Sequence, residues 1–205
     1  MIVEFVLILR SVRSWLHFLL RGLTAPFPNY LKMQILMSHS ISSAAWIETG
    51  TYEGSTSKFL SSRFPMVITI EPSETYYRRA ITRLDKIKNI KVMFGTSEQC
   101  FQQALGSTSE NVNIWLDGHF SEGETFLGNA VTPILNELSD IASSLSKFNA
   151  VALFIDDVRL FGDESYSSDG YPEFSSLSDW CKMNNFTWEI SRDIFIAKYS
   201  RVSPI

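Results

Sequence analysis

From residue 45 onward the chain alternates short β-branched runs with longer helical patterns, and few folds accept such an alternation. Strands are expected at Ala45–Glu48, Met66–Glu71, Ile90–Phe94, Val112–Leu116, Ala150–Ile155, Thr187–Ser191 and Ile194–Lys198. Helical spacing falls between them at Ser55–Arg63, Ser73–Ile87, Ser97–Leu105, Asn129–Leu145 and Tyr171–Met183. Strands that alternate with helices run parallel and are covered on both faces, so the expected class is α/β, a Rossmann-like doubly wound sheet of seven strands. Only Arg192-Asp193 separates the last two runs. They should therefore close as a C-terminal antiparallel hairpin, leaving one strand reversed at an edge of a mostly parallel sheet. In such sheets ligands gather at the carboxyl ends of the strands, where the strand order switches.

A sheet of that size needs a full core, and 205 residues with 45% hydrophobic and 13% aromatic content supply one for a single domain. Ahead of it, MIVEFVLILRSVRSWLHFLLRG carries Phe5, Ile8, Leu9, Val12, Trp15, Leu16 and Leu19 at helical spacing, with Arg10, Ser14, His17 and Arg21 largely off that face. This predicts an amphipathic helix. Glu4, Arg10, Arg13 and Arg21 interrupt it, so no run reaches the roughly 18 apolar residues of a membrane span. No basic leader or small-residue cleavage site marks a signal peptide either. The helix could pack on the domain, on a second copy in a homo-oligomer, or on a membrane surface. LTAPFPN at 23–29 then breaks it, dividing the chain into a helix and linker at 1–30 and a main domain at 31–205.

Charge narrows the partners further. Eighteen basic against twenty-two acidic side chains give −4 with no Lys/Arg block, which argues against nucleic acid as a main partner. Cys100 and Cys181 have no metal-ligand spacing around them and fit a reduced, cytoplasmic setting.

The turn after the first strand, WIETGTYEGSTS, places Gly50 and Gly54 between strand and helix, with Glu48 two residues before the first glycine. Glycines there let backbone approach a ligand, and the following helix offers its first N–H groups. The turn could also be no more than a tight connection. The E-x-G-x-x-x-G spacing departs from the dinucleotide fingerprint. A pyrophosphate beside Glu48 would bring like charges together, whereas a ligand with ammonium and sulfonium centres would welcome the carboxylate. Glu71 ends the second strand about twenty residues after the glycines, where an acid can accept both ribose hydroxyls. Ser97, after the third strand, stands where an adenine edge could lie, or serves as the cap of its helix.

Those residues resemble the class I S-adenosylmethionine-dependent methyltransferases: ETGTYEG looks like their first motif and TIEP like their acidic ribose motif, over about residues 44–199. The resemblance implies S-adenosylmethionine as cofactor, held by Glu48, Gly50, Thr51, Tyr52, Gly54, Ser55, Thr56, Glu71, Ser97 and Asp117. The later segments, WLDGHFSEGET and LFIDDVRLF, are similar to the metal-dependent O-methyltransferases that act on sugars of macrolide and coumarin antibiotics. They are closer still to uncharacterised methyltransferase-like proteins carrying WLDGH and IDD.R.F.

Those segments carry their own chemistry. Asp117 closes the fourth strand and Asp156-Asp157 the fifth, so three carboxylates should converge and repel unless a cation or protons intervene. Mg²⁺ favours such hard oxygen ligands. The resemblance makes Asp117, Asp156 and Asp157 its ligands, with metal-assisted methylation of an oxygen on a small polar or sugar-derived acceptor. His119, where the sugar enzymes usually have an Asp, is the candidate general base beside Asp117. Arg159 is either a salt-bridge partner of the acidic pair or an anchor for an anionic acceptor group. Tyr166 and Tyr171, in the polar loop FGDESYSSDGYP, could meet a sugar ring under a lid. Two other classes stay open: a non-catalytic cofactor- or nucleotide-binding relative, and an interaction module that docks through its first helix.

Overall fold

The computed structural model describes residues 14–117, 132–163 and 171–201. Residues 14–20 form helix α1. The order continues with α2 (Asn29–His39), β1 (Ala45–Thr49), α3 (Ser55–Ser61), β2 (Val67–Glu71), α4 (Glu74–Leu84), β3 (Ile90–Phe94) and α5 (Ser97–Gly106). It closes with β4 (Asn111–Leu116), α6 (Ile134–Ser144), β5 (Ala150–Ile155), α7 (Phe174–Met183), β6 (Thr187–Ser191) and β7 (Ile194–Ser200).

One seven-stranded sheet runs in the order β3-β2-β1-β4-β5-β7-β6. The first five strands are parallel, and β7 is antiparallel to both β5 and β6. The fold is thus the expected Rossmann-like one with a C-terminal hairpin, except that the reversed strand lies one place in from the edge. Its sequence explains this. Ile194, Phe195, Ile196 and Ala197 are all buried, whereas β6 exposes most of its residues, so the apolar strand takes the interior place and the polar one the edge.

Alternation along each strand builds two cores. Ile47, Ile70, Ile114, Leu116, Leu153 and Ile155 pack under α5, α6 and α7. Trp46, Val67, Trp115 and Phe154 face the other way, against Met33 and Leu36 of α2 and Leu60 of α3. Trp46 stacks on Phe154 with ring centroids 5.5 Å apart. By the same parity Glu48, Asp117 and Asp156 fall on the α2 and α3 side.

The start of α6 and the presence of α2 differ most from expectation. Pro133 starts α6 at Ile134, because its ring disfavours helical backbone at Thr132. Helix α2 has no counterpart among the expected helices, since NYLKMQILMSH scatters its apolar residues without a clean polar face. Tertiary burial makes it, with Leu36 fully enclosed.

Candidate active site

The strand order switches between β1 and β4, and the ends of those strands open the site. Asp117 N–H donates to Thr49 O at 3.2 Å, and the N–H groups of Gly50 and Thr51 donate to Ile70 O at 3.0 and 3.2 Å. The turn is therefore tied to both neighbouring strands. Gly50 and Gly54 have φ of 87° and 71°, where a side chain is strained. At Gly54 a Cβ would also lie 2.7 Å from Leu84 Cδ1 of α4, so this glycine serves helix packing as well as the turn.

In front of the turn lies a groove of about 450 Å³, within the size range of small-molecule sites. Gly50, Thr51, Tyr52, Ser55, Thr56 and Asp117 form one wall; Trp15, Phe27, Asn29, Tyr30 and Lys32 form the other. Phe27 and Asn29, from the segment expected to be a linker, thus line part of this groove.

Glu48 does not face this groove. It is 1% exposed, accepting from Ser57 Oγ and, at 2.8 Å, from Thr69 Oγ1. Burial pushes its carboxyl up to about 7, against the lowering effect of those two hydroxyls. The expected contact with a ligand ammonium is corrected accordingly: Glu48 braces the turn from behind, because parity sends it toward α3. Glu71 sits at the β2 tip, its two oxygens accepting from Tyr52 N at 2.7 Å and Ser73 N at 2.9 Å. Each oxygen keeps a second lone pair, so ribose hydroxyls remain compatible with it.

Ser97 is also displaced from its expected role. It is buried near Glu137 of α6, whose carboxyl burial pushes up to about 7. The cap of α5 is Thr96, whose N–H donates to Gln99 Oε1 at 3.1 Å. Glu137 was not among the expected site residues. An acid set between Ile134, Leu138 and Ile141 on one buried helical stripe is the signal that marks it. With Asp156 and Tyr171 it lines a cavity of about 10 Å³, room for one water.

The acidic cluster forms, with a member that sequence reasoning missed. Lys32 reaches in from α2, donates to Asp156 Oδ2, and stands 3.8 Å from Asp157 Oδ1. Burial alone would lower its pKa, but Asp156, Asp117 and Asp157 together raise it, so the ammonium stays charged. The Asp117 carboxyl is pushed well above the usual range, first by burial and then by Asp156. Asp157 takes left-handed backbone, φ 53°, at the end of β5. Arg159 resolves in favour of the salt bridge: its guanidinium donates to Asp157 Oδ1 at 2.6 Å and to Asp193 Oδ2. Tyr171 is buried against Phe161, centroids 5.4 Å apart, so it is a wall of the small cavity. His119 and Tyr166 lie outside the described residues.

The two expected ligands can now be tested against these residues. S-adenosylmethionine fits the groove: bare glycine backbone, the Thr51, Ser55 and Thr56 hydroxyls, and Asp117 at its end suit a polar, partly cationic molecule. Mg²⁺ does not fit the carboxylates as they stand. An ammonium already sits among them and a guanidinium holds Asp157, and among the described residues no group of three or more His, Cys, Asp or Glu is arranged to hold a metal.

No protein-family model matches this chain, and no curated protein matches it. Solved structures do share its fold. A putative methyltransferase from Streptococcus mutans in complex with SAH is 14% identical, with a TM-score of 0.53 over 87% of this chain and 100% of its own. A putative methyltransferase from Pseudomonas syringae is 11% identical, with a TM-score of 0.51 over 84% of this chain and 98% of its own. An rRNA methylase from Streptococcus thermophilus is 13% identical, with a TM-score of 0.50 over 86% of this chain and 97% of its own. The chain shares the Rossmann-like architecture of these structures.

Proposed function

We propose that the chain is an S-adenosylmethionine-dependent methyltransferase that methylates an oxygen of a small polar acceptor, for which a sugar-derived molecule is the reading the sequence favours. One observation carries this: a groove of about 450 Å³ opens at the strand-order switch of a methyltransferase fold, between the Gly50–Thr56 turn and Asp117. Gly50, Thr51, Ser55 and Thr56 would hold the cofactor's polar end and Glu71 its ribose. When bound, the cofactor supplies a sulfonium methyl; transfer forms one C–O bond, breaks one C–S bond and releases one proton. The chain's task is to hold the acceptor oxygen in line and take up that proton.

His119, two residues past Asp117 in the sequence, is the proposed proton acceptor. Asp117, whose carboxyl burial and Asp156 keep toward its protonated form, is suited to orienting the acceptor by hydrogen bonds. Arg159 is committed to Asp157 and Asp193 and is assigned no acceptor contact. The reaction as proposed needs no metal step.

Calorimetric titration with S-adenosylmethionine in chelator tests the reading. We expect one site, weakened at least tenfold by Glu71→Ala; a flat titration of folded protein would overturn it. A second reading rests on Leu16, Leu19 and Leu20 of α1, the last 75% exposed: this face docks on a membrane surface or a second copy of the chain. Flotation with vesicles and sedimentation of the free chain should both change in a Leu16→Ser/Leu20→Ser variant if that docking occurs.

A further inference from the structure

We infer that the outer face of α1 seats the chain on an anionic lipid surface, so that the groove is presented to acceptors held at that surface. The shape of the helix's surroundings and the placing of charge carry this. Leu16, Leu19 and Leu20 stand at i, i+3 and i+4 on one side of α1 and are 55%, 57% and 75% exposed. Leu23, just past the helix end, is exposed as well. A contiguous apolar ridge of this kind marks an interaction face. The helix is not free to turn it inward, because the other side of α1 is already packed on the domain. Phe18, only 4% exposed, lies against Trp15 and Phe27 with ring centroids 5.8 and 5.2 Å away. The Arg192 guanidinium of the C-terminal hairpin covers Phe27 at 5.8 Å.

Charge decides between lipid and a second copy of the chain. Residues 1–30 carry Arg10, Arg13 and Arg21 against Glu4 alone, whereas residues 31–205 hold fifteen basic and twenty-one acidic side chains. Arg21 follows directly on Leu20, exposed and steadied by its bond to Pro26 O at 2.8 Å. Two such ridges face to face would bring arginine against arginine. An anionic surface instead draws this end of the molecule down and repels the acidic remainder, which fixes the orientation. Trp15, on the packed side of the same helix, lines the groove. Seating Leu16 and Leu20 in the interface therefore holds the groove about one helix diameter, roughly 10 Å, from the headgroups. Within the methyl-transfer reading, on which this last point alone rests, the acceptor is an amphiphile: its polar head enters the groove beside Asp117 and its apolar tail stays in the lipid.

Flotation of the full-length chain with phosphatidylcholine vesicles, with and without phosphatidylserine, tests the face in the absence of cofactor and acceptor. We expect binding to the phosphatidylserine vesicles that Leu16→Ser/Leu20→Ser weakens at least about tenfold. Arg21→Glu should weaken it by about fivefold for each unit of charge changed. Leu135→Ser, at a leucine of α6 that is 54% exposed, should float like wild type. Wild type that stays off the phosphatidylserine vesicles would overturn the inference, a result that needs no variant. So would an equal loss in Leu135→Ser, or a dimer in sedimentation of the free chain that Leu16→Ser/Leu20→Ser dissolves, which would assign the ridge to a second copy. Flotation alongside a flat S-adenosylmethionine titration would sink the methyl-transfer reading and leave the lipid face standing; a normal titration without flotation would do the reverse.

Discussion

Glu48 and Glu137 sit on opposite sides of the sheet, both essentially out of water, and burial pushes each carboxyl up to about 7. The unfolded value is near 4.3, so the folded chain holds extra protons between the two values. Stability from these groups is complete below the unfolded pKa and is lost as pH rises through the folded one. At about 1.4 kcal/mol per unit, each group gives up on the order of 3 kcal/mol. Thermal melts at about pH 5 and about pH 8 should therefore show the lower Tm at the alkaline end. Glu137→Gln, which cannot ionise, should remove roughly half of that difference; an equally steep dependence in the variant would refute the assignment. Neither residue's part was visible from residue type alone. Glu48 was read as facing the ligand, whereas counting parity from Trp46 turns it inward, toward Ser57 and Thr69.

Helix α4 meets the glycine turn through Leu84, and that contact makes Gly54 a joint between two elements. Alanine there meets both a left-handed backbone and the Leu84 side chain, and should cost about 2 kcal/mol. In a Leu84→Ala background the clash goes and the dihedral strain stays. Urea melts of the double-mutant cycle should then give a coupling of about 1 kcal/mol; additive effects would mean Leu84 is not the obstacle. Elements of this kind were largely legible, because β-branched runs bounded by turn residues fix strands to within a residue or two. The five parallel strands and the hairpin follow directly. Helix α2 was not legible, since burial rather than pattern stabilises it, and with it Lys32 was missed. Lys32 does sit one turn before Leu36 on the stripe that α2 buries, and a charge in such a place demands partners. The sequence offers no way to know that those partners are Asp156 and Asp157 rather than water.

Across the whole molecule, the C-terminal hairpin is latched to the site. Asp193, read from sequence as a simple turn residue, accepts Arg159 N–H at 3.0 Å and its guanidinium, while its carbonyl accepts from Val158 N at 3.1 Å. Asp193→Ala should cost about 2 kcal/mol, less than a fully enclosed pair because Arg159 is partly exposed. Hydrogen exchange should quicken at the Val158 and Arg159 amides; protection equal to wild type would show that the latch is dispensable. The bond from Lys32 to Asp156 spans 124 positions of chain, far beyond the reach of any helix or neighbouring strand pair. Loop closure on that scale waits until β4 and β5 have joined the sheet and α2 has docked over them. During synthesis the ammonium emerges long before its carboxylate, so the groove gains its charge balance only when the last parallel strand arrives. Ligand competence would then appear as a late, single event in the life of each new chain, and a stalled fragment would hold the glycine turn without the ability to use it.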